Sequence, residues 1–569
     1  MPLIDLRRDA TTAVSALFER IRSAPAEIWI TLRNETDIAA EAREIKRRVD
    51  AGEDLPLAGY VFAAKDNIDV AELPTTAAHP DFTHMPERTA TVVERIVAAG
   101  AILIGKTNMD QFATGLVGSR SPYGAVSSAH QPERVAGGSS SGSGAAVGWG
   151  IVDFSLGTDT AGSGRVPAAY NRVIGLKPTL GLLPLDGVLP ASPSYDTVSV
   201  FAPDIAIAAK VVDVASGPST LDPHGRAFPD DAPQAAPARP VIAVPDDESL
   251  GILSPGMRAA FDRAVRRAED AGAVVSAIDL GPFLEAARLL YDGGLVSERA
   301  WSFGSFLAEH TEHADTSVAT IAAGAMSVEA VSLVDAQQRI VALTAEAKRR
   351  LDGSDALMLP TAPLHPSHAE LESDPIGVNR TVGTFTNFVN LMDMAAVAVP
   401  GETVAGEGEF GVSFVVPAFH DQVAVDIAAR FTSQEPGEPF RFLNGIDVAV
   451  FGAHLRGEPL NGQLQDLGAR YIRDASTANT FRMLLVEGAV DRPAVVRADR
   501  GAELPGELWR LSPLAVSRLL TSIAPPLALG RIELADGEVV LGFTASVAEG
   551  HRDITDLGGW RAFRAVSTV

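Results

Sequence analysis

Two glycine- and serine-rich tracts, GGSSSGSGAAVG at residues 137–148 and LGTDTAGSGRVPA at residues 156–168, carry the most information about this chain. Each places a serine, Ser139 or Ser163, among small residues that let backbone amides come close to a bound molecule. A third candidate, Lys65, lies upstream in the stretch YVFAAKDNID. A serine hydroxyl is a weak nucleophile until a base takes its proton, and two serines with a lysine can form such a relay. The tracts therefore predict a nucleophilic site.

The segments upstream of the tracts alternate between helix and strand patterns. TATVVERIVAAG (residues 89–100) spaces its apolar residues at helical intervals and ends in a glycine, as a helix C-cap does. AILIG (101–105) and YVFAAK (60–65) are apolar runs that indicate buried strands. Helices and buried strands in succession predict an α/β fold with a mixed or parallel central sheet.

The chain is long enough, at 569 residues, for two or more domains. Residues 216–240 are rich in Pro, Asp and Ala, and we expect a long surface connection there. Pro, Gly and acidic residues cluster again at 433–442 and predict a domain boundary. We therefore expect a catalytic domain at 1–437 and a smaller, strand-rich domain at 445–569.

Composition excludes several classes of function. The formal net charge of −25 argues against nucleic acid as a partner, because phosphate binding needs clustered Lys and Arg. The absence of cysteine excludes disulfides, thiolate metal sites and a cysteine nucleophile. The sequence contains no run of 18 apolar residues, so it predicts no membrane span. Its first residues lack the apolar stretch of a signal peptide. The expectation is a cytoplasmic protein that binds no membrane.

Two other interpretations of the tracts are weaker. Gly/Ser runs are often flexible linkers, but the first tract continues into the apolar AAVGWGIV, which a linker would not carry. GSGAAVG at 142–148 resembles a loosened dinucleotide fingerprint, yet it has one residue too many and no acidic partner. We expect no cofactor. The spacing of His310, His313 and Asp315 suits a metal, but the surrounding EHTEHAD is typical of an exposed helix end, and we expect no metal.

Read together, the tracts resemble the amidase signature family. GGSSSG, the gap, and then G-x-D-x-A-G-S-x-R-x-P follow in the family's order, and Lys65 stands in the KDNI context typical of its general base. The resemblance covers roughly residues 1–435 and implies a mixed central sheet surrounded by helices. It also implies that Ser163 is the nucleophile and that Ser139, after a cis peptide bond, passes the proton to Lys65.

The resemblance further assigns residues around the nucleophile. The backbone amides of Thr160, Ala161 and Gly162, with that of Ser163, would hold the oxyanion. Asp159 and Arg165 would hold the loop that contains Ser163 in place. Lys65 must be neutral to accept a proton, and burial lowers a lysine pKa because the charged form loses its solvation.

Finer features are similar to the allophanate hydrolase branch of the family. They are the TAGSGRVPA form of the second tract, TGLVGSRSPYG at 114–124 and NFVNLMDMAAVAVP at 387–400. GAHLRGEPLNGQL at 452–464 and DITDLGGWRAF at 553–563 are similar to segments of that branch's C-terminal domain. The resemblance implies a small α+β domain of the γ-glutamylcyclotransferase type, which either accelerates a decarboxylation or supports assembly.

The branch implies a small anionic amide as substrate, since allophanate is urea that carries a carboxylate. A site selecting it needs a fixed cation, best a guanidinium. Tyr291 and Arg299, in LLYDGGLVSER, and Gly138 would contact it. The resemblance also leaves open a homodimer and a functional link to urea carboxylase, with s-triazine breakdown as the other source of allophanate.

Two alternatives to this function stay open at the level of sequence. One keeps the amidase machinery with another substrate, as in the glutaminase component of a tRNA-dependent amidotransferase, a general amidase or a urethanase. The other is an amidase-like scaffold without activity, which the presence of all three catalytic residue types disfavours.

Overall fold

The computed structural model describes residues 2–488, 490–546 and 551–567, which form two compact units. The first unit runs to Ala227 and resumes from Arg239 to Phe442. The second comprises Phe228–Ala238 together with the chain from Leu443 onward. Among the described residues, no single helix is long and apolar enough to cross a membrane, although the bent pair Thr316–Ala325 and Ala330–Arg350 passes by length and composition.

An eleven-stranded mixed sheet forms the centre of the first unit, in the order β1-β3-β2-β4-β6-β5-β10-β11-β9-β7-β8. The strands are β1 (Trp29–Leu32), β2 (Val61–Lys65), β3 (Ile102–Thr107), β4 (Phe154–Asp159), β5 (Ile174–Lys177), β6 (Thr197–Ala202), β7 (Val241–Pro245), β8 (Val274–Ile278), β9 (Ala356–Pro360), β10 (Met394–Val404) and β11 (Gly408–Pro417). β2 is parallel to both β3 and β4, whereas β4–β6, β6–β5, β5–β10, β10–β11 and β11–β9 are antiparallel. The prediction of a mixed central sheet is confirmed.

Helices surround this sheet. They are α1 (Ala10–Ser23), α2 (Glu35–Asp50), α3 (Thr91–Ala98), α4 (Ser141–Gly148), α5 (Val166–Tyr170), α6 (Ile205–Ala215), α7 (Pro255–Asp270), α8 (Gly281–Asp292), α9 (Ser297–Arg299), α10 (Ser305–Glu309), α11 (Thr316–Ala325), α12 (Ala330–Arg350), α13 (His368–Ser373), α14 (Gly377–Val382), α15 (Asn387–Leu391) and α16 (Asp421–Thr432). A π-helical turn, Ala300–Gly304, joins α9 to α10.

The centre of the sheet is fully buried, which explains its sequence. Every residue of β2, β3 and β4 is buried, so these strands are mostly apolar or small rather than alternating, and their charged residues, Lys65, Lys106 and Asp159, lie at or near the carboxyl ends. α3 is the crossover that lets β2 and β3 run parallel. The carboxyl ends of β2 and β4 consequently meet at one edge of the sheet, where Lys65 and Asp159 lie.

The second unit contains a five-stranded sheet, β13-β16-β12-β18-β17, and a three-stranded sheet, β15-β14-β19. Its elements are β12 (Ile446–Val450), α17 (Asn461–Asp466), β13 (Arg470–Ser476), β14 (Phe481–Val486), β15 (Arg492–Arg497), β16 (Pro505–Leu511), α18 (Pro513–Ser522), β17 (Leu527–Glu533), β18 (Val539–Ala545), β19 (Arg552–Asp553) and α19 (Trp560–Ser567). These strands pack around their own apolar cluster, which includes Trp509, Phe543 and Trp560.

The expectation of a long surface connection at 216–240 is only partly correct. Residues 228–238 belong to the second unit, where Gln234 is buried. The backbone N–H of Gln234 donates to the Gly468 carbonyl at 2.9 Å, and its side-chain amide donates to the Asn444 carbonyl at 2.9 Å. These backbone contacts hold a segment whose Pro- and Ala-rich composition gives no periodic signal, which is why its burial was not predicted.

Candidate active site

Lys65 is placed by the register of the sheet. It is the last residue of β2, and β2 pairs with β4 so that Ala64 lies opposite Leu156. This register brings the lysine beside Thr158, two residues further along β4. Lys65 is fully buried.

A hydrogen-bonded chain joins the three residues predicted from the tracts. Lys65 Nζ donates to Ser139 Oγ at 2.7 Å and to Thr158 Oγ1 at 2.7 Å. Ser139 Oγ and Ser163 Oγ are 3.0 Å apart. The Gly138–Ser139 peptide bond is cis. Since hydroxyl protons rotate, the same pair of serines can pass a proton from Ser163 to Ser139 and on toward Lys65.

The electrostatics of Lys65 suit a base. Burial lowers the pKa of Lys65 from 10.5 to about 7, because the ammonium form loses its solvation, while Asp110, Asp196 and Asp159 act in the opposite direction. In a substantial fraction of the molecules, the Lys65 amine is therefore uncharged at neutral pH.

The turn that carries Ser163 is held by a buried ion pair. Arg165 Nε and Nη2 donate to Asp159 Oδ2 and Oδ1 at 2.9 and 2.8 Å. The same carboxylate accepts the N–H groups of Gly162 and Gly164, each at 2.9 Å. Asp159 and Arg165 thus fix the backbone on both sides of the serine.

One predicted oxyanion donor, the N–H of Gly162, already has an acceptor within the protein, and its role toward an oxyanion stays a prediction. This N–H points at Asp159 Oδ1. The N–H groups of Thr160, Ala161 and Ser163 make no hydrogen bond to another residue within the described parts of the chain. These three amides are available to an oxyanion.

Arg299 and Tyr291 form a stacked arginine–tyrosine pair in the same unit. The Arg299 guanidinium is buried, stacks over the Tyr291 ring at 4.6 Å from its centroid, and contacts the Tyr291 hydroxyl through Nη2 at 3.4 Å. Its Nε and Nη1 have no acceptor among the residues that the structure describes. Tyr291 also lines a cavity of about 530 Å³. A buried cation with free donors is a ready binding site for an anion.

Comparison with known proteins agrees with this geometry. A family model described as amidase matches residues 12–425, which is most of the chain. The chain belongs to the amidase family. A second model, the allophanate hydrolase C-terminal domain, matches residues 446–565. The resemblance to the allophanate hydrolase branch of the amidase signature family is thereby confirmed.

Three proteins illustrate what this amidase-family chain is similar to. The urea amidolyase of Saccharomyces cerevisiae is 36% identical over 98% of this chain but only 33% of its own length, so the chain spans about a third of that relative. A glutamyl-tRNA(Gln) amidotransferase component from Deinococcus deserti is 32% identical over 68% of this chain and 86% of its own. The solved structure of Kluyveromyces lactis allophanate hydrolase matches 100% of this chain and 99% of its own, with 35% identity and a TM-score of 0.89.

Gly138, predicted to contact substrate, has a packing reason to be glycine. A Cβ at this position would lie 2.0 Å from Asp110 Oδ2 and 2.6 Å from the Gly118 amide nitrogen. Asp110 itself accepts the N–H groups of Gly118 and Arg120, and its own N–H donates to the Ser139 carbonyl. The close approach fixes the backbone before Ser139, and a contact with substrate stays a prediction.

Sequence reasoning missed several residues that shape this amidase site. They are Asp110, Thr158, Asp196 and Glu298, whose contacts depend on strand register and on loops distant in sequence. Only Thr158 carried a signal, since it lies inside the second tract.

The histidines at metal-like spacing have other contacts. His313 Nδ1 lies 3.0 Å from Asp81 Oδ2, and His310 stacks on Phe306 at 4.2 Å between ring centroids. Asp315 caps α11 by accepting the N–H groups that open the helix. Within the described ranges, no group of three or more His, Asp or Glu side chains is arranged to hold a metal.

Proposed function

We propose that this chain is an allophanate hydrolase, which cleaves the terminal amide of urea-1-carboxylate. The observation that carries the proposal is the buried Arg299 guanidinium with two unpaired nitrogens, Nε and Nη1, among the described residues. A guanidinium pairs with a carboxylate through two parallel N–H···O bonds from one edge, that is from Nη2 together with either Nε or Nη1. The Nη2 contact with the Tyr291 hydroxyl is long, at 3.4 Å, so either edge can accept a carboxylate. A buried charge that lacks a hydrogen-bonded partner is costly. A substrate with its own carboxylate supplies the missing partner. The full-length similarity to an allophanate hydrolase supports the same choice.

The first half of the reaction uses the hydrogen-bonded chain of Lys65, Ser139 and Ser163. Neutral Lys65 takes the proton of Ser139 as Ser139 takes that of Ser163, and Ser163 Oγ attacks the terminal amide carbonyl. The carbonyl oxygen becomes an oxyanion that the amides of Thr160, Ala161 and Ser163 itself stabilise. Loss of one such donor typically costs about 10²–10³-fold in rate.

Collapse of the tetrahedral intermediate breaks the bond between the carbonyl carbon and the terminal nitrogen. Lys65 returns its proton through Ser139 to the departing nitrogen, which leaves as ammonia. Ser163 is then esterified by the carboxylated carbamoyl group. Water, deprotonated through the same pair, attacks this ester and releases N-carboxycarbamate, so one water is consumed and one ammonia formed.

The product breaks down further. N-carboxycarbamate loses carbon dioxide to give carbamate, which decomposes to ammonia and carbon dioxide. We assign the hydrolytic step to the domain at 1–437. The domain at 445–569 either accelerates the decarboxylation or supports assembly. No metal or organic cofactor is needed for these steps.

The proposal is tested by ammonia release from freshly prepared allophanate, malonamide and glutamine at equal concentrations, with Ser163→Ala as the control for background hydrolysis. Because a hydrogen bond to a charged group is worth about 1.5–3 kcal/mol, we expect allophanate to be preferred over malonamide by roughly ten- to hundredfold. A preference for malonamide would favour a general amidase or urethanase and would overturn the allophanate assignment.

The glutaminase alternative rests on the similarity to the glutamyl-tRNA(Gln) amidotransferase component, which covers 68% of this chain. Preferred ammonia release from glutamine would support it over allophanate hydrolysis. The homodimer, the link to urea carboxylase and the cytoplasmic location stay predictions.

A further inference from the structure

The loop of residues 190–196, called here the bridging loop, holds the turn before Ser163. β4 and β6 are antiparallel with Asp159 opposite Thr197, so Thr160 faces Asp196 at the end of the loop. Asp196 Oδ1 accepts the Thr160 hydroxyl. Asp196 Oδ2 accepts the N–H groups of Ala191 and Ser192 at 2.8 and 3.0 Å. Asp196 therefore fastens the loop to the residue that opens the proposed oxyanion site.

The other side of the bridging loop is fastened to the helix that carries Arg299. Glu298 Oε2 accepts the Ser192 hydroxyl at 2.7 Å and the Ser194 N–H at 3.1 Å. Further along, the Ser302 hydroxyl donates to the Pro190 carbonyl. α9 and the π-helical turn after it are thus both attached to the loop.

Apart from burial, stacking on the Tyr291 ring and the nearby charge of Asp196, the Arg299 side chain has few polar contacts. Its hydrogen bond to Tyr291 is long, at 3.4 Å, and two of its nitrogens are unpaired within the described residues. The position of the guanidinium therefore depends on the backbone of α9, and the contacts of Glu298 and Ser302 help to fix that backbone against the bridging loop. A continuous series of contacts runs from α9 through the bridging loop to Thr160.

We propose that Glu298 and Asp196 are positioning residues that fix the separation between the Arg299 guanidinium and the turn carrying Ser163. This separation selects amides whose carboxylate lies at a set distance from the scissile carbonyl. The inference rests on the proposed function. The two residues differ in effect, because Glu298 holds only the anion-binding side, whereas Asp196 also holds Thr160.

The test compares two small amides that differ in charge. Malonamate, in which a methylene replaces the central N–H of allophanate, is the anionic substrate, and malonamide is its neutral partner. Misplacement by about 1 Å costs up to roughly 10²-fold, so we expect Glu298→Ala to lower kcat/KM for malonamate by about ten- to hundredfold. Its kcat/KM for malonamide is expected to fall by a clearly smaller factor, because malonamide has no carboxylate to place against Arg299.

Two further variants separate positioning from general damage. Glu298→Gln keeps an acceptor oxygen for Ser192 and Ser194 and is expected to restore most of the malonamate preference. Glu309→Ala removes an exposed carboxylate from neighbouring α10 and serves as the matched control. Asp196→Asn leaves one acceptor oxygen for three donors and also removes a negative charge that acts on Arg299, so we expect kcat to fall for both substrates. Thermal unfolding of each variant checks that the fold is intact.

The outcomes are distinguishable. If wild type prefers malonamate and Glu298→Ala retains that preference, the positioning inference is wrong and the proposed function stands. If Glu298→Ala loses activity on both amides equally, Glu298 is a general structural residue and the inference is also wrong. If wild type shows no preference for malonamate, the proposed anion site fails and the inference fails with it.

Discussion

Two arginines of the first unit, Arg165 and Arg299, are equally buried but differently surrounded. Arg165 donates to both oxygens of Asp159 and also to the Thr386 carbonyl and Asn390 Oδ1, each at 3.1 Å. Arg299 has a stacked tyrosine and two nitrogens without an acceptor in the described structure. Removing one partner of a buried, hydrogen-bonded ion pair is strongly destabilising, whereas a buried cation without a hydrogen-bonded partner costs stability. Such a cost is expected at functional sites. The comparison separates Arg165, which holds the turn that carries Ser163, from Arg299, which we propose binds the substrate carboxylate.

The largest expected effect comes from removing the satisfied cation. Arg165→Met leaves the Asp159 carboxylate buried without its partner, which costs about 3–5 kcal/mol. We expect a large fall in the unfolding temperature and loss of activity on every amide. Differential scanning calorimetry measures the first and ammonia release the second. Arg47→Met, which removes an exposed arginine, is the control, and equal melting of the two variants would contradict the role given to Arg165.

We expect an anionic ligand to bind the Arg299 guanidinium and to stabilise the folded protein. In Ser163→Ala, which cannot turn over, malonamate at about 100 times its dissociation constant should stabilise the protein by about 2.7 kcal/mol. The rise in unfolding temperature should vanish when Arg299→Gln is added to Ser163→Ala. Malonamide at the same concentration is the matched neutral ligand. A rise that survives the Arg299 change would place the anion elsewhere.

A third buried basic side chain, Lys65, differs from both arginines because its pKa lies near neutrality. It donates to two hydroxyls, those of Ser139 and Thr158. Its pKa of about 7 means that the neutral base is lost as the pH falls below 7. We expect kcat/KM to rise with pH and level off above about 7, with a slope near tenfold per pH unit on the acid side. A profile that is flat from pH 6 to 8 would show that Lys65 is not the base.

The smallest expected effect on stability comes from replacing the second buried arginine, Arg299. Arg299→Met removes a cation that makes no hydrogen bond to a carboxylate in the described structure, although it acts at longer range on the buried Asp196 carboxylate. Removing a buried charge without a hydrogen-bonded partner also removes its desolvation cost. We expect an unfolding temperature equal to or above that of wild type. A fall as large as that of Arg165→Met would mean that Arg299 is a structural residue after all.

Much of the catalytic centre was predictable because its residues lie in short motifs. Ser139, Ser163, Asp159 and Arg165 all fall in the two tracts, and Lys65 ends an apolar strand next to a polar KDNI context. The alternation of helix and strand patterns likewise indicated the fold class, since buried parallel strands leave long apolar runs.

The rest of the site depends on contacts that local patterns do not contain. Asp196 reaches Thr160 only because β4 and β6 pair in one register, and Glu298 reaches Ser192 across 106 positions. The direction of the Gly162 N–H toward Asp159 follows from the fold of the turn, which the motif itself does not specify. Residues 228–238 were misjudged because backbone hydrogen bonds, rather than apolar spacing, hold them.

The central claim is that one guanidinium selects the anionic substrate while the Ser-Ser-Lys relay performs the chemistry. The most direct measurement is kcat/KM for malonamate and malonamide with wild type and Arg299→Gln. We predict that wild type prefers malonamate by roughly ten- to hundredfold and that Arg299→Gln loses this preference, with malonamide turnover little changed. Retention of the preference by Arg299→Gln, or an equal loss on both amides, would contradict the account.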